Sequence, residues 1–173
     1  DLKVMGFQTT GVASHYFAVD AAKVTLLPDD MSYDEGAMIE PLAVAVHAVK
    51  QARDVKGAKI AVLGAGPIGI LVAQAAKGLG AEPGMITDVS GLRLEKAKEC
   101  GVDFCVNTRN KDFGEAMTES LGPDKADVIY DCAGNNITMG QAIKYARKGS
   151  TIILVAVFAG LGQIDLAVLN DHE

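Results

Sequence analysis

The run KIAVLGAGPIG at 59–69 narrows the possible folds more than any other part of the chain. An apolar, strand-length segment passes straight into a Gly-x-Gly-x-x-Gly turn and from there into a helical pattern. Glycines at this spacing have separate physical tasks. Gly64 lets the chain turn tightly, Gly66 lets the backbone approach a pyrophosphate, and Gly69 lets the helix pack close to the strand. Pro67 stands where a first-turn proline fits, because the N–H it lacks would have no intrahelical partner there. Ile68 completes the turn. A helix opened this way aims free N–H groups and the positive end of its dipole at an anion. The other reading of the same residues is a tight glycine-rich turn with no ligand.

Short apolar runs recur after it at 84–88, 102–107, 126–131 and 150–157, alternating with helical patterns at 67–79, 91–100, 112–121 and 137–147. Five strands separated by four helices through short connections predict an α/β fold, a doubly wound parallel sheet of Rossmann type. Its expected strand order is 3-2-1-4-5-6, which leaves the apolar fifth strand in need of cover. The open edge predicts that this chain self-associates, and a monomer would instead point to residues 160–173 folding back over it as a substitute strand. Ahead of residue 57 the pattern differs. Segments 12–19 and 23–27 look β-rich, and Ser32 opens a helix with Asp34 and Glu35 in its first turn. Pro41 is expected to interrupt that helix near Glu40 before it resumes to about residue 52.

Asp88 follows Gly69 by nineteen residues and closes the second run, so 59–88 makes a thirty-residue unit, the length of one βαβ crossover. A carboxylate there can accept hydrogen bonds from an adenosine ribose and repels a 2′-phosphate, which favours NAD over NADP. An Asp just ahead of a helix also reads as a cap. Arg93 falls in the first turn of the next helix, where a cation opposes the dipole. It is a candidate to stack on adenine, or a solvated surface residue.

Composition removes several classes. Sixteen Lys and Arg against 22 Asp and Glu leave a net charge of −6, without the basic stripe that nucleic acid requires. A 49% hydrophobic content excludes a disordered chain. Cys100, Cys105 and Cys132 show no C-x-x-C spacing, which argues against a disulfide framework and a four-Cys zinc lobe. The longest apolar stretch, 61–76, is broken by three glycines, a proline and a glutamine and is too short to span a bilayer. No basic segment followed by an apolar one opens the chain, whose first residue is Asp1. These features predict a cytoplasmic chain without membrane partners, and are compatible with a processed or excised piece as with a naturally short protein.

Four segments carry a resemblance: LPDDMSYDEGAMIEPLAVAVHAV at 27–49, VLGAGPIGILVAQAAKGLGA at 62–81, TDVSGLRLEKAKECGVD at 87–103 and DCAGN at 131–135. Together they resemble the zinc-containing medium-chain alcohol dehydrogenases, in particular the sorbitol (iditol) and threonine dehydrogenase branch. IEPLAV discriminates more sharply than the glycines, because the liver-type enzymes are expected to place a Cys near that helix. The resemblance implies that 1–30 is the end of a catalytic domain, carrying its last strands, that 31–56 forms connecting helices, and that 57–173 is a dinucleotide-binding domain lacking its last strand. It implies NAD as cofactor, with Ala133 and Gly134 as the small residues that let the riboses pass and Val155 and Val157 at the strand end beside the nicotinamide. Ala156 departs from the branch, which often has Gly there.

By the same resemblance Glu40 stands near a catalytic zinc or its water, while the family's other ligands, a Cys and an adjacent His-Glu pair, have no match in this sequence. Glu40 alone cannot make a zinc site, which normally needs three protein ligands. Without the resemblance it reads as a polar residue at a proline break. His47, two helical turns on, lies about 10 Å from Glu40 along a continuous helix, too far to share one metal. His15 and His172 lie far apart in sequence and suggest no site. The implied activity is hydride transfer between NAD and a polyol or secondary alcohol, including amino alcohols, in a homodimer or homotetramer. This chain alone is expected to be inactive and free of catalytic zinc. The alternative is a non-catalytic dinucleotide-sensing domain. A methyltransferase, which also uses a glycine-rich turn, is opposed by Pro67 and IEPLAV.

Overall fold

In the computed structural model residues 3–171 are described, and the chain divides into two compact units at Ala37 and Met38. The second unit holds five strands of four residues each. They are β1 (Ile60–Leu63), β2 (Met85–Asp88), β3 (Phe104–Asn107), β4 (Val128–Asp131) and β5 (Thr151–Leu154). All pair in parallel, in the order β3-β2-β1-β4-β5. The helices are α1 (Tyr33–Gln51), α2 (Pro67–Gly78), α3 (Gly91–Glu99), α4 (Phe113–Leu121), α5 (Asn136–Tyr145) and α6 (Leu166–Asp171). The parallel sheet and its alternating helices are those the sequence pattern predicts, with strands one to a few residues shorter than the apolar runs.

Successive side chains of a strand point to opposite faces, and β1 shows what each face meets. Ile60 and Val62, joined by Ile86, Val128 and Tyr130, pack against Val49 of α1, Val72 of α2 and Leu94 and Ala97 of α3. Ala61 and Leu63, with Met85 and Ile129, pack against Phe113 and Met117 of α4 and Ala142 of α5. Strands β1, β2 and β4 are buried along their whole length, while β3 and β5 at the edges are partly exposed. A sheet covered on both faces explains the unbroken apolar runs in the sequence. Each fully buried Ile or Leu contributes roughly 1.5–3 kcal/mol. Tyr130, fully buried, donates its hydroxyl to the Val49 carbonyl at 3.4 Å and ties β4 to α1. Burial pushes its phenol up to about 12, so it stays a neutral donor.

Two expectations ahead of the sheet do not hold, and neither does the fold-back alternative behind it. Residues 12–19 and 23–27 form no strand; between them lies a 3-10 turn at Ala21–Lys23, and ahead of them among the described residues one isolated bridge, Met5 to Thr9. A two-stranded element with no sheet to join is marginal on its own, and β propensity without a partner edge does not produce one. Helix α1 runs through Pro41 rather than breaking there. Proline removes one N–H, leaving the Ala37 carbonyl without its usual partner, and the remaining ladder persists. Its start is as expected: the Ser32 hydroxyl accepts the Glu35 N–H at 3.2 Å while the Glu35 carboxylate accepts the Ser32 N–H at 2.8 Å, a reciprocal cap. Residues 166–171 form α6 instead of a substitute strand, and β5 stays at the sheet edge among the described residues. His172 lies outside the described residues. No helix among them is long and apolar enough to cross a membrane.

Candidate functional site

The order β3-β2-β1-β4-β5 reverses direction at β1, so the connections leaving β1 and β4 diverge above the carboxyl ends of the strands and open a crevice there. Every cofactor-lining residue expected from the sequence lies at or next to this end of the sheet: Gly64, Gly66, Pro67, Ile68 and Gly69 after β1, Asp88 and Arg93 at and after β2, Ala133 and Gly134 after β4, and Val155 and Val157 after β5. Glu40 is the exception in element, lying exposed in α1.

The three glycines differ in what they exclude. Gly64 has φ +101, and a Cβ on it would sit 3.1 Å from the nitrogen and Cβ of Ala133. A Cβ on Gly69 would stand 1.9 Å from the Gly64 carbonyl oxygen, which no rearrangement short of moving the turn relieves. Gly66 is unlike both, because a Cβ there would meet nothing within 4 Å. The space it leaves is open, as a backbone that admits a phosphate requires. Gly66 caps α2 without any side-chain hydrogen bond, Pro67 follows at the first position, and the first intrahelical bond runs from Ile70 to Gly66. The N–H groups of Ile68 and Gly69 are thereby left for an anion. The residues present therefore fit a dinucleotide phosphate.

Asp88, 9% exposed, ends β2 with both oxygens engaged. Its Oδ2 accepts the Ala65 N–H at 2.8 Å and its Oδ1 the Ser90 N–H at 2.8 Å. It thus pins the glycine turn to the start of α3, and each oxygen keeps a lone pair for a further donor. The Arg93 guanidinium stands 3.7 Å from Asp88 Oδ2 with 62% of its side chain exposed. Between α2 and α3 a cavity of about 510 Å³ is bordered by Gly66, Pro67, Leu92, Arg93 and Lys96.

At the other end of the crevice Ala133 is exposed, Gly134 has φ +68, and Val157 is 94% exposed. A Cβ on Gly134 would lie 2.8 Å from the Ala156 Cβ and 3.0 Å from the Val157 carbonyl oxygen. The β4 and β5 ends therefore touch backbone to side chain. Ala156, the departure from the branch, supplies the methyl in that contact. Cys132, next to them, has its thiol pushed up to about 12 by burial and secondarily by the Asp131 charge, so it is neutral packing and no nucleophile.

Reading the sequence missed Asp131. It is fully buried, its Oδ1 accepts the Ala133 N–H at 3.0 Å, the Gly134 N–H at 3.2 Å and the Thr138 hydroxyl at 3.1 Å, and its Oδ2 has no partner. The signal was present: Asp131 ends β4 as Asp88 ends β2, each followed by a turn into a helix. A metal site is not assembled. Among the described residues no three His, Cys, Asp or Glu side chains come together, and Glu40 makes no hydrogen bond or ion pair with them. The described residues thus do not fit the zinc that the resemblance implies. His47, on the exposed side of α1, is within hydrogen-bond distance of the Gln51 amide nitrogen, at 3.2 Å.

Residues 67–173 match the family model described as "Zinc-binding dehydrogenase". Sorbitol dehydrogenase of Bos taurus is 38% identical over 149 residues, covering 85% of this chain and 42% of that protein. Galactitol-1-phosphate dehydrogenase from Escherichia coli superposes with a TM-score of 0.85 at 28% identity, over 96% of this chain and 48% of the other. A short chain alcohol dehydrogenase from E. coli CFT073, solved with NADH, gives a TM-score of 0.88 at 27% identity, over 98% and 50%. The chain spans less than half the length of the curated relatives named here.

Proposed function

This chain belongs to the zinc-binding dehydrogenase family, of the sorbitol dehydrogenase type, and from that membership we propose that it binds NAD(H) as the coenzyme half of a polyol or secondary alcohol dehydrogenase. The observation that carries the proposal is the open space over Gly66 beside the uncapped start of α2. In this reading the N–H groups of Ile68 and Gly69 hold the pyrophosphate, with Gly64 and Pro67 shaping the turn. Asp88 accepts from the adenosine ribose, and Arg93 covers the adenine. Ala133 and Gly134 leave room for the riboses, and Val155 and Val157 flank the nicotinamide. NAD, when bound, supplies the hydride acceptor.

The Asp88 carboxylate is the basis for preferring NAD to NADP, because a 2′-phosphate would meet its charge. Its two backbone bonds hold that charge in place, and the Arg93 guanidinium at 3.7 Å offsets only part of it. Titration of intrinsic NADH and NADPH fluorescence tests the reading. Binding of NADH at least about tenfold tighter than NADPH is expected, and equal affinity removes Asp88 from the role.

The substrate reading, a polyol or amino alcohol, rests on the names of the relatives. Glu40 is the residue of this chain proposed to stand near the metal in the whole enzyme, and the described residues by themselves are proposed to hold no catalytic zinc. Metal analysis after dialysis checks this, stoichiometric zinc being the contrary result. The whole protein is proposed to be a cytoplasmic homodimer or homotetramer. The partly exposed edge of β5, with Leu154 54% exposed, supports self-association. Light scattering at micromolar concentration should find a dimer or larger species.

A further inference from the structure

Asp131 has no part in the reading above, yet it holds together the end of the crevice opposite Asp88. Its carboxylate is fully buried, so it does not meet a ligand in the open crevice. What it does is structural and directional. Through Oδ1 it gathers the N–H groups of Ala133 and Gly134 and the Thr138 hydroxyl. Through its main-chain carbonyl it accepts the N–H groups of Val155 and Ala156, both at 3.0 Å. One residue therefore fixes two separate segments, 133–134 after β4 and 155–157 after β5. Gly134 seats one segment on the other so closely that a Cβ would strike Ala156 and Val157.

The loading of the carboxylate is lopsided. Three donors converge on Oδ1 while Oδ2 is buried with none. A buried acceptor without a donor is an unfavourable arrangement that native structures rarely keep. Nothing in the packing of β4 requires a polar group here, since its neighbours along the strand, Ile129 and Tyr130, are core residues. The turn at 133–134 is what requires it. An apolar residue at 131 would leave two backbone N–H groups without their acceptor and turn the Thr138 hydroxyl over to the Asn135 carbonyl at 3.1 Å, and the small-residue turn would lose its seat against 155–157.

We infer that Asp131 is a positioning residue of the dinucleotide site, setting the gap between the 133–134 turn and the 155–157 strand end and thereby selecting for the nicotinamide-nucleoside half of the ligand. The inference rests on the NAD(H) reading. The adenosine half is held chiefly by Asp88 and the glycine turn on the other side of β1, its ribose only passing Ala133 and Gly134. The two halves can therefore be weakened one at a time.

Calorimetric titration of the full chain with AMP and with NADH separates them. Asp131→Ala should keep AMP affinity within about twofold of the parent while losing about tenfold or more for NADH. Asp131→Asn presents an amide oxygen to the same three donors and should restore NADH affinity to within about threefold. Gly134→Ala forces the same two segments apart from the other side and should reproduce the NADH-selective loss in a chain whose carboxylate is intact. Circular dichroism identifies any variant that has not folded, and the remaining variants then carry the test. Equal losses for AMP and NADH in the folded variants, unchanged NADH affinity in Asp131→Ala, or an Asp131→Asn as weak as the Ala variant would each overturn the inference. A parent chain that binds neither AMP nor NADH would instead overturn the dinucleotide reading, and the inference with it.

Discussion

The carboxyl ends of β2 and β4 are built alike and behave differently. Each strand ends in an aspartate that accepts backbone N–H groups, Asp88 from the glycine turn after β1 and from its own following turn, Asp131 from its following turn alone, and the two strands flank β1 on either side. Asp88 spreads its donors, one to each oxygen, and retains 9% exposure at the crevice, whereas Asp131 places three donors on one oxygen and is sealed. The difference separates two uses of one residue type. A carboxylate with balanced backbone bonds and an open side can still accept from a ligand; a sealed one can only shape the chain around it.

The severest test of the comparison is at the turn both ends share. Gly69→Ala drives a methyl into the Gly64 carbonyl, so a loss of about 1–3 kcal/mol in stability is expected, with NADH binding abolished. Urea denaturation and NADH titration measure the two. Next comes the open carboxylate itself. Asp88→Ala should cost roughly 1.5–3 kcal/mol of NADH affinity, ten- to a hundredfold, and narrow the gap to NADPH. A variant with unchanged affinity would make Asp88 a shaping residue like Asp131 and erase the contrast.

A smaller effect sharpens the β4 end. Asn135 caps α5 by accepting the N–H groups of Ile137 and Thr138, both at 3.0 Å. Asn135→Ala should cost about 1 kcal/mol of stability, read from the denaturation midpoint, and leave AMP affinity unmoved. The smallest effect concerns the opposite, amino ends of the strands, where aspartates pair with cations. Burial on its own would raise the carboxyls of Asp103 and Asp127. Bonds from Lys77 and the Gly84 N–H to the first, and from the Lys59 N–H and Arg147 to the second, outweigh it and hold both below the usual carboxylate range. Folded-state values lowered in this way contribute stability above the ordinary carboxylate pKa and lose it as pH falls through the folded one. Thermal melts should therefore decline on the acid side, and Asp103→Asn should flatten that decline. Both pairs are partly exposed, so the effect is modest and shrinks further in high salt.

Much of this was legible in the sequence, for reasons that differ by residue. The glycine spacing at 64–69 declares a local backbone requirement, and Asp88 is found by counting along one crossover. The alternation of runs announced all five strands because a doubly covered sheet needs an apolar run at every strand. Asp131 escaped notice because DCAG carries no spacing rule of its own; the partners of its side chain, Ala133, Gly134 and Thr138, are near in sequence, but only the fold shows them converging on one buried oxygen. Pro41 misled for a similar reason: a local rule expected a break, and a nineteen-residue helix with Ala45, Ala48 and Val49 buried continues through it.

What the sequence determined by itself was whatever depends on neighbours along the chain: which runs become strands, where helices are capped, and where a turn must be glycine. The tertiary structure alone decided the rest. Residues 12–27 remain outside any strand because pairing needs an edge that the local sequence does not contain. Of two buried strand-end aspartates, one keeps a small exposed edge and one is sealed completely, because the turns after β2 and β4 differ in length and in what they pack against. Propensity acts over a few residues, whereas exposure and hydrogen-bond partnership are settled by segments that sequence distance keeps apart.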